Sequence, residues 1–394
     1  MGKKNLDTLK VLKDIEDCIE LKAHTIRDIG LQSGLLGFSL FYYYRYLLTN
    51  NDSDLEKIGG YIESALTKLD ENYTSFHVHN EITELGLVLT LLTEKSIIDL
   101  EEIEATLVQI DDMAAVFFQQ KIAEGNLDLI MGFPALGLYF LRRKKMQYAD
   151  LLISSLAKIE ELSRIGEQGT FWQFDMRDQS NPIIELSFGH GIAGIIFYLS
   201  LLYENAIEKT RAKRLIEDGL KFLLSQKIPI PKVSLFPFKA CSSETLEYQN
   251  LAYGEIGIGY SLFRAGQILK QRTVLEEGIS ILRHAAEYRD DDKVFIRDAN
   301  LIYGASGLYA FFENISKEIP QASFEKAAEY WHSKIYSFRD IKGYPQWAGF
   351  KAYFNQSFES THLGFSQGIA GIGSCLIVSH LAKKHDYLSF FNFI

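Results

Sequence analysis

A Gly-x-x-Gly pattern recurs at near-regular spacing through the 394 residues, and it limits the possible folds more than any other feature. Full copies stand at Gly34–Gly37, Gly191–Gly194, Gly254–Gly257, Gly304–Gly307 and Gly368–Gly371. Degenerate copies start at Gly86 and Gly132. The first glycines lie about 56 residues apart on average, so seven units fill the chain, as in a repeat architecture. Each copy opens an apolar segment, such as Phe38–Leu48, Ile195–Leu202 or Ile258–Leu269.

Longer charged segments with helical apolar spacing separate the copies. Leu6–Lys22, Asp54–Leu69, Leu100–Lys121, Gln147–Leu162, Ala206–Leu224, Thr273–Tyr288 and Phe324–Ile335 are of this kind. Each should form an amphipathic helix with one buried stripe. A unit is then one amphipathic helix followed by one mostly apolar helix. An apolar helix needs cover on every side, and stacked repeats bury what single repeats cannot. The expected fold is therefore all-α: an (α/α)7 toroid of seven inner and seven outer helices, forming one domain over residues 1–394. A four-helix bundle has too few helices, and an open superhelix would leave apolar end units bare.

The net charge of −10 argues against nucleic acid as a partner, since a binder needs a basic footprint. Cys18, Cys241 and Cys375 are too few and too scattered for a disulfide framework. The first residues lack the apolar stretch of a signal peptide. No run of about 18 apolar residues suggests a membrane span. A cytoplasmic protein is expected.

Long connections run into the glycine turns at 163–189, 226–252, 289–303 and 337–367, carrying Trp172, Arg177, Tyr248 and Trp347. Long loops on a rigid scaffold carry function. The inner-helix N-termini gather at the same end, where their unpaired N–H groups favour negative charge. The residues before each first glycine should face that end: Ser33, Leu85, Met131, His190, Tyr253, Tyr303 and Gln367. His190 is the one imidazole among them and suits general acid–base work near neutral pH. Asp128 either caps the helix opened at Gly132 or orients a partner such as the imidazole. Tyr253 is a phenol donor. His77 and His79, with Glu81 or Glu84, form a weak metal-ligand pattern.

These motifs resemble the lanthionine synthetase C-like (LanC) family over essentially the whole chain. Gly189-His190-Gly191-Ile192-Ala193-Gly194 is similar to the family's His-Gly motif, which implies His190 as an active-site acid or base. Asp128-Leu129-Ile130-Met131-Gly132 looks like the family's Asp-containing turn, which implies Asp128 as a second catalytic group. Residues 252–259 look like the Trp-Cys-Tyr-Gly stretch, which sets Tyr253 beside them. Asn300–Gly304 falls where the family has Cys-His-Gly, and Phe365–Gly371 fits the closing repeat. The resemblance also implies where zinc ligands would stand: at Ala252, Ile302 and Tyr303, in place of Cys, Cys and His. No metal cofactor is therefore expected. Leu251 replaces the motif's tryptophan, and its expected arginine falls near Tyr248. With Tyr303, Gln367 and Trp172, Tyr248 is a substrate-binding candidate.

The family adds peptide cysteine thiols to dehydroalanine or dehydrobutyrine, forming thioether rings. Three functions follow. The first is a zinc-free lanthipeptide-type cyclase. The second is a pseudo-cyclase that binds a precursor peptide or a dehydratase. The third is a carbohydrate-active α/α barrel using two of Glu84, Asp128, Glu185 and Glu255.

Overall fold

The computed structural model describes residues 3–69, 72–174, 183–229, 233–242, 249–289 and 293–381. Two helix types alternate along the chain. The amphipathic ones are α1 (Lys3–Lys22), α3 (Asp52–Lys68), α5 (Leu100–Glu124), α7 (Ala149–Glu161), α9 (Lys209–Ser225), α11 (Arg272–Glu287) and α13 (Ala322–Ser337). The apolar ones are α2 (Leu35–Thr49), α4 (Val78–Glu94), α6 (Phe133–Arg143), α8 (Ile192–Glu204), α10 (Glu255–Leu269), α12 (Ala305–Glu318) and α15 (Ile369–Val378). A short helix, α14 (Glu359–Leu363), and a two-stranded hairpin, β1 (Arg164–Gly166) and β2 (Gly169–Phe171), sit in the long connections. The expected seven-plus-seven alternation is therefore present among the described residues.

The buried stripes follow the helical period. On α1, Val11, Leu12, Ile15 and Ile19 are buried, whereas Leu9 and Leu21 face outward. On α3, Ile58, Ile62 and Ala65 are buried, and the Asn51 side chain accepts the Ser53 N–H at 3.2 Å to start the helix. The apolar helices are covered far more fully: every residue of α8 from Ile192 to Ser200 is buried.

The chain forms two compact units. One comprises Met1–Ile110 and Arg297–Phe391. In it α12, α15, α2 and α4 pack in that order, with α13 on α12, α1 on α15 and α3 on α2. The first and last repeats are thus neighbours, and the Phe365 N–H donates to the Leu31 carbonyl at 3.1 Å. The other comprises Asp111–Ile296. There α6, α8 and α10 pack in order, covered by α7, α9 and α11, and β2 lies on α9.

The first glycine is the N-cap of six of the apolar helices, with extended backbone and negative φ in each. Glycine is needed for space rather than for an unusual φ. A Cβ on Gly191 would stand 2.5 Å from the Glu185 carbonyl oxygen, and one on Gly371 would overlap that of Phe365. The Gly86 copy differs from expectation. Helix α4 begins eight residues earlier, at Val78, so Gly86 is mid-helix and Leu85 is buried in the helix wall, not at a turn. Four residues before Gly86 stands Ile82, whose side chain cannot accept the backbone N–H groups of a tight turn.

Candidate active site

Four turns carry a polar residue four positions before the first glycine: Asp128, Ser187, Asn250 and Asn300. Each accepts a backbone N–H inside its own turn. Asn250 Oδ1 takes Tyr253 N–H at 2.9 Å, Asn300 Oδ1 takes Tyr303 N–H at 2.7 Å, and Ser187 Oγ takes His190 N–H at 3.3 Å. Asp128 Oδ1 takes both Ile130 and Met131 N–H at 2.8 Å. These caps fix the direction of the residue just before the glycine. Backbone bonds join neighbouring turns: Leu129 N–H donates to Gly189 O at 3.1 Å, and Gly189 N–H donates to Ala252 O at 2.9 Å.

The result is an imidazole–carboxylate pair between two turns. His190 Nδ1 lies 2.6 Å from Asp128 Oδ2, with both residues buried. Asp128 thus has two tasks: one oxygen caps its turn and the other holds the imidazole. The helix cap itself is Gly132, so Asp128 caps the preceding turn instead of α6. Because an ionised carboxylate only accepts, it fixes the proton on Nδ1 and leaves Nε2 as the atom that exchanges protons. Behind the histidine, the Ser187 hydroxyl donates to Glu185 Oε1 at 2.6 Å. The Tyr253 ring lies 5.0 Å from the imidazole, tilted by 37°. His190, Asp128 and Tyr253 therefore meet at one place.

The remaining predicted residues divide. In the unit containing α2 and α12, Tyr303 is half-buried with its ring edge-on to Phe354 at 5.0 Å. Gln367 is buried, and its Oε1 has no hydrogen-bond partner among the described residues. Trp172 corrects the expectation. It is fully buried, donates Nε1–H to Ile159 O at 2.8 Å, and packs over Gly219 of α9, so it belongs to the core instead of a binding surface. Tyr248 and Arg177 lie outside the described residues. Trp347 stacks on His362 at 3.8 Å.

The resemblance brings with it a zinc ion, which the residues here do not fit. The Ala252 and Ile302 side chains have no lone pair, the Ala252 carbonyl accepts the Gly189 N–H, and Tyr303 offers one phenol oxygen. Zinc needs at least three N, S or O donors. Among the described residues no group of three or more His, Cys, Asp or Glu is placed to hold a metal ion. His77 and His79 sit at the start of α4 instead of on a loop, and their expected companion Glu81 accepts the Tyr73 hydroxyl at 2.8 Å.

The acids considered for sugar chemistry are tied to their own local partners. Glu84 accepts Leu31 N–H at 2.6 Å, and burial pushes its carboxyl up to about 7. Glu255 is buried, accepts Leu235 N–H at 2.6 Å, and lies 2.6 Å from His284 Nδ1. That Glu255–His284 pair, and the turn caps Ser187, Asn250 and Asn300, are features that sequence reasoning missed. The caps were readable, as a polar residue recurs at a fixed offset from the glycine.

A family model described as lanthionine synthetase C-like protein matches residues 25–393. No curated protein matches the chain. Among solved structures, nisin cyclase aligns over 100% of this chain and 99% of its own, with a TM-score of 0.77 and 18% identity. A sugar epimerase from a ruminal bacterium aligns over 94% of this chain and 98% of its own, with a TM-score of 0.40 and 12% identity. The likeness to nisin cyclase is one of fold, and it puts the alternating helices in the (α/α)7 toroid class expected from the repeat. No helix among the described residues is long and apolar enough to cross a membrane. On the match of residues 25–393, the chain belongs to the lanthionine synthetase C-like family.

Proposed function

We propose that the protein acts on a precursor peptide as a lanthipeptide-type cyclase, adding cysteine thiols to dehydroalanine or dehydrobutyrine without zinc. The observation that carries this reading is the 2.6 Å contact between His190 Nδ1 and Asp128 Oδ2. A free thiol has a pKa near 8.5, so only a few per cent is thiolate at pH 7. In this mechanism His190 Nε2 takes the thiol proton. The sulfur attacks the β-carbon of the dehydro residue, the new S–C bond forms, and the alkene electrons move toward the carbonyl as an enolate. The imidazolium then returns a proton to the α-carbon. Asp128 balances the charge on the ring in between. General acid–base catalysis of this kind supplies about 10²–10⁴-fold. A dehydratase that makes the acceptor is the expected partner.

The donor-free side chains at Ala252 and Ile302 favour a second reading, a pseudo-cyclase that binds the peptide without closing rings. The test is thiol consumption on a dehydrated, cysteine-containing peptide, since ring closure leaves the mass unchanged. Alkylation of residual thiols followed by mass spectrometry reads it directly. The cyclase reading expects thiols to vanish with wild type and to persist with His190→Ala. Binding with no thiol loss by wild type means the pseudo-cyclase.

A further inference from the structure

A groove of about 390 Å³ runs between α12 and α13, inside one compact unit. The two helices are joined through residues 319–321 and run antiparallel. Tyr309 on α12 meets His332 on α13 ring to ring, 4.9 Å apart. From that contact the helical stagger sets Glu313 opposite Glu329 and Ser316 opposite Glu325. All six side chains line the groove. His332 stands at one end, where its Nε2 lies 3.3 Å from the Ser379 hydroxyl.

Charge along this groove is unbalanced. Glu313 is paired with Lys317 at 3.7 Å. Glu325 and Glu329 are exposed, and neither carboxylate makes an ion pair or a hydrogen bond with a described residue. Like charges one turn apart destabilise a helix, so α13 gains nothing by carrying them together. Tyr309 supplies a second, independent observation. It is only 6% exposed, yet it lines the groove. Its hydroxyl has no hydrogen-bond partner among the described residues, whereas a buried hydroxyl normally finds one. Carboxylates only accept hydrogen bonds, and a phenol oxygen also accepts. What the groove lacks is a donor that carries positive charge.

A metal ion does not suit it, because no group of three or more His, Cys, Asp or Glu among the described residues is placed to hold one. Glu325 and Glu329 are instead spread along α13, four residues or about 6 Å apart on the helix axis. That separation fits two ammonium groups on a short methylene chain. We propose that the groove binds a linear aliphatic diamine of the 1,4-diaminobutane class. One ammonium pairs with Glu325 beside Ser316. The other pairs with Glu329 and donates to the Tyr309 oxygen, while the methylenes lie over Ala328, which also lines the groove. His190 and Asp128 belong to the other compact unit, and this inference is independent of the cyclase reading.

The experiment titrates 1,4-diaminobutane into the full-length protein at constant ionic strength and follows the His332 imidazole resonance by NMR. Wild type should give a saturable shift. Glu325→Gln and Glu329→Gln should each weaken binding about fivefold, as each removes one exposed ion pair. Tyr309→Phe keeps the ring against His332 and should weaken binding about fivefold through the lost hydrogen bond. All three variants should melt near wild type. n-Butylamine, with a single ammonium, should also bind about fivefold more weakly. No saturable shift overturns the proposal, as does an affinity unchanged by Glu329→Gln or by Tyr309→Phe. An equal shift with magnesium chloride would replace the diamine site by a diffuse acidic surface. Equal affinity for N-acetyl-lysine amide would replace the diamine by a lysine side chain.

Discussion

Asp128→Asn separates the two tasks of one side chain. Asparagine keeps an acceptor where Asp128 Oδ1 receives Ile130 and Met131 N–H, so the turn should persist. Its amide NH₂ replaces Oδ2, the atom 2.6 Å from His190 Nδ1. A donor there makes Nδ1 the acceptor and moves the ring proton to Nε2, which can then no longer remove a thiol proton. A neutral hydrogen bond still links the residues, so the stability loss should be about 1 kcal/mol. The rate loss at pH 7 should be about 10²–10⁴-fold. Asp128→Ala should lose the same activity and also the cap, which costs roughly 0.5–2 kcal/mol more. The assay is thiol consumption against time at pH 7 and pH 9, beside thermal melts. Solvent alone raises the thiolate fraction from about 3% to about 76% over that range, given a thiol pKa of 8.5. The Asn variant's rate should therefore climb about 25-fold, narrowing its deficit. A variant as fast as wild type, or a deficit unmoved by pH, would refute the assignment of His190 as base and Asp128 as its orienter.

Two glycine substitutions should move stability in opposite directions. Gly371→Ala forces a Cβ into the Phe365 carbonyl and should lower the melting temperature sharply or abolish folding, whereas Gly59→Ala on α3 meets nothing within 4 Å and should stabilise by about 0.5–1 kcal/mol. Differential scanning calorimetry of the two variants checks both signs, and a stabilised Gly371→Ala would contradict the close-approach argument. His284 provides a pH test. Its hydrogen bond to Glu255 raises its pKa above the usual 6.5, so the pair's contribution is fully present below pH 6.5 and fades as pH rises through the raised value. In Glu255→Gln the His284 resonance should titrate lower by NMR, and the fading of stability above pH 6.5 should flatten; an unshifted titration would refute the pairing.

How much of this was legible in the sequence depended on the kind of force involved. Glycine spacing and apolar periodicity are local and repeat, so the alternation of helices could be read from them. Gly86 misled because a glycine marks a turn only where other residues supply the caps, and Ile82 supplies none. His190 could be singled out by its neighbours, but its meeting with Asp128 depends on adjacent turns bonding to each other. That is a contact between repeats, 62 residues apart. Trp172 misled for the opposite reason: a large aromatic in a long connection serves a binding face or the core equally well, and only packing on Gly219 decides it.

The backbone bonds that join one glycine turn to the next have a consequence for how such a scaffold changes over time. Leu129 to Gly189, Gly189 to Ala252, and Leu301 to Ser366 are joined by peptide groups alone, whatever side chains those positions carry. The frame that fixes the residue before each glycine is thus independent of the side chain at that position. Alanine at 252 and isoleucine at 302 sit in intact turns, so exchanging donor atoms for hydrocarbon there leaves the architecture unharmed. A barrel built this way holds its chemistry in replaceable fittings, and its reactivity can be rewritten one position at a time while folding stays under separate control.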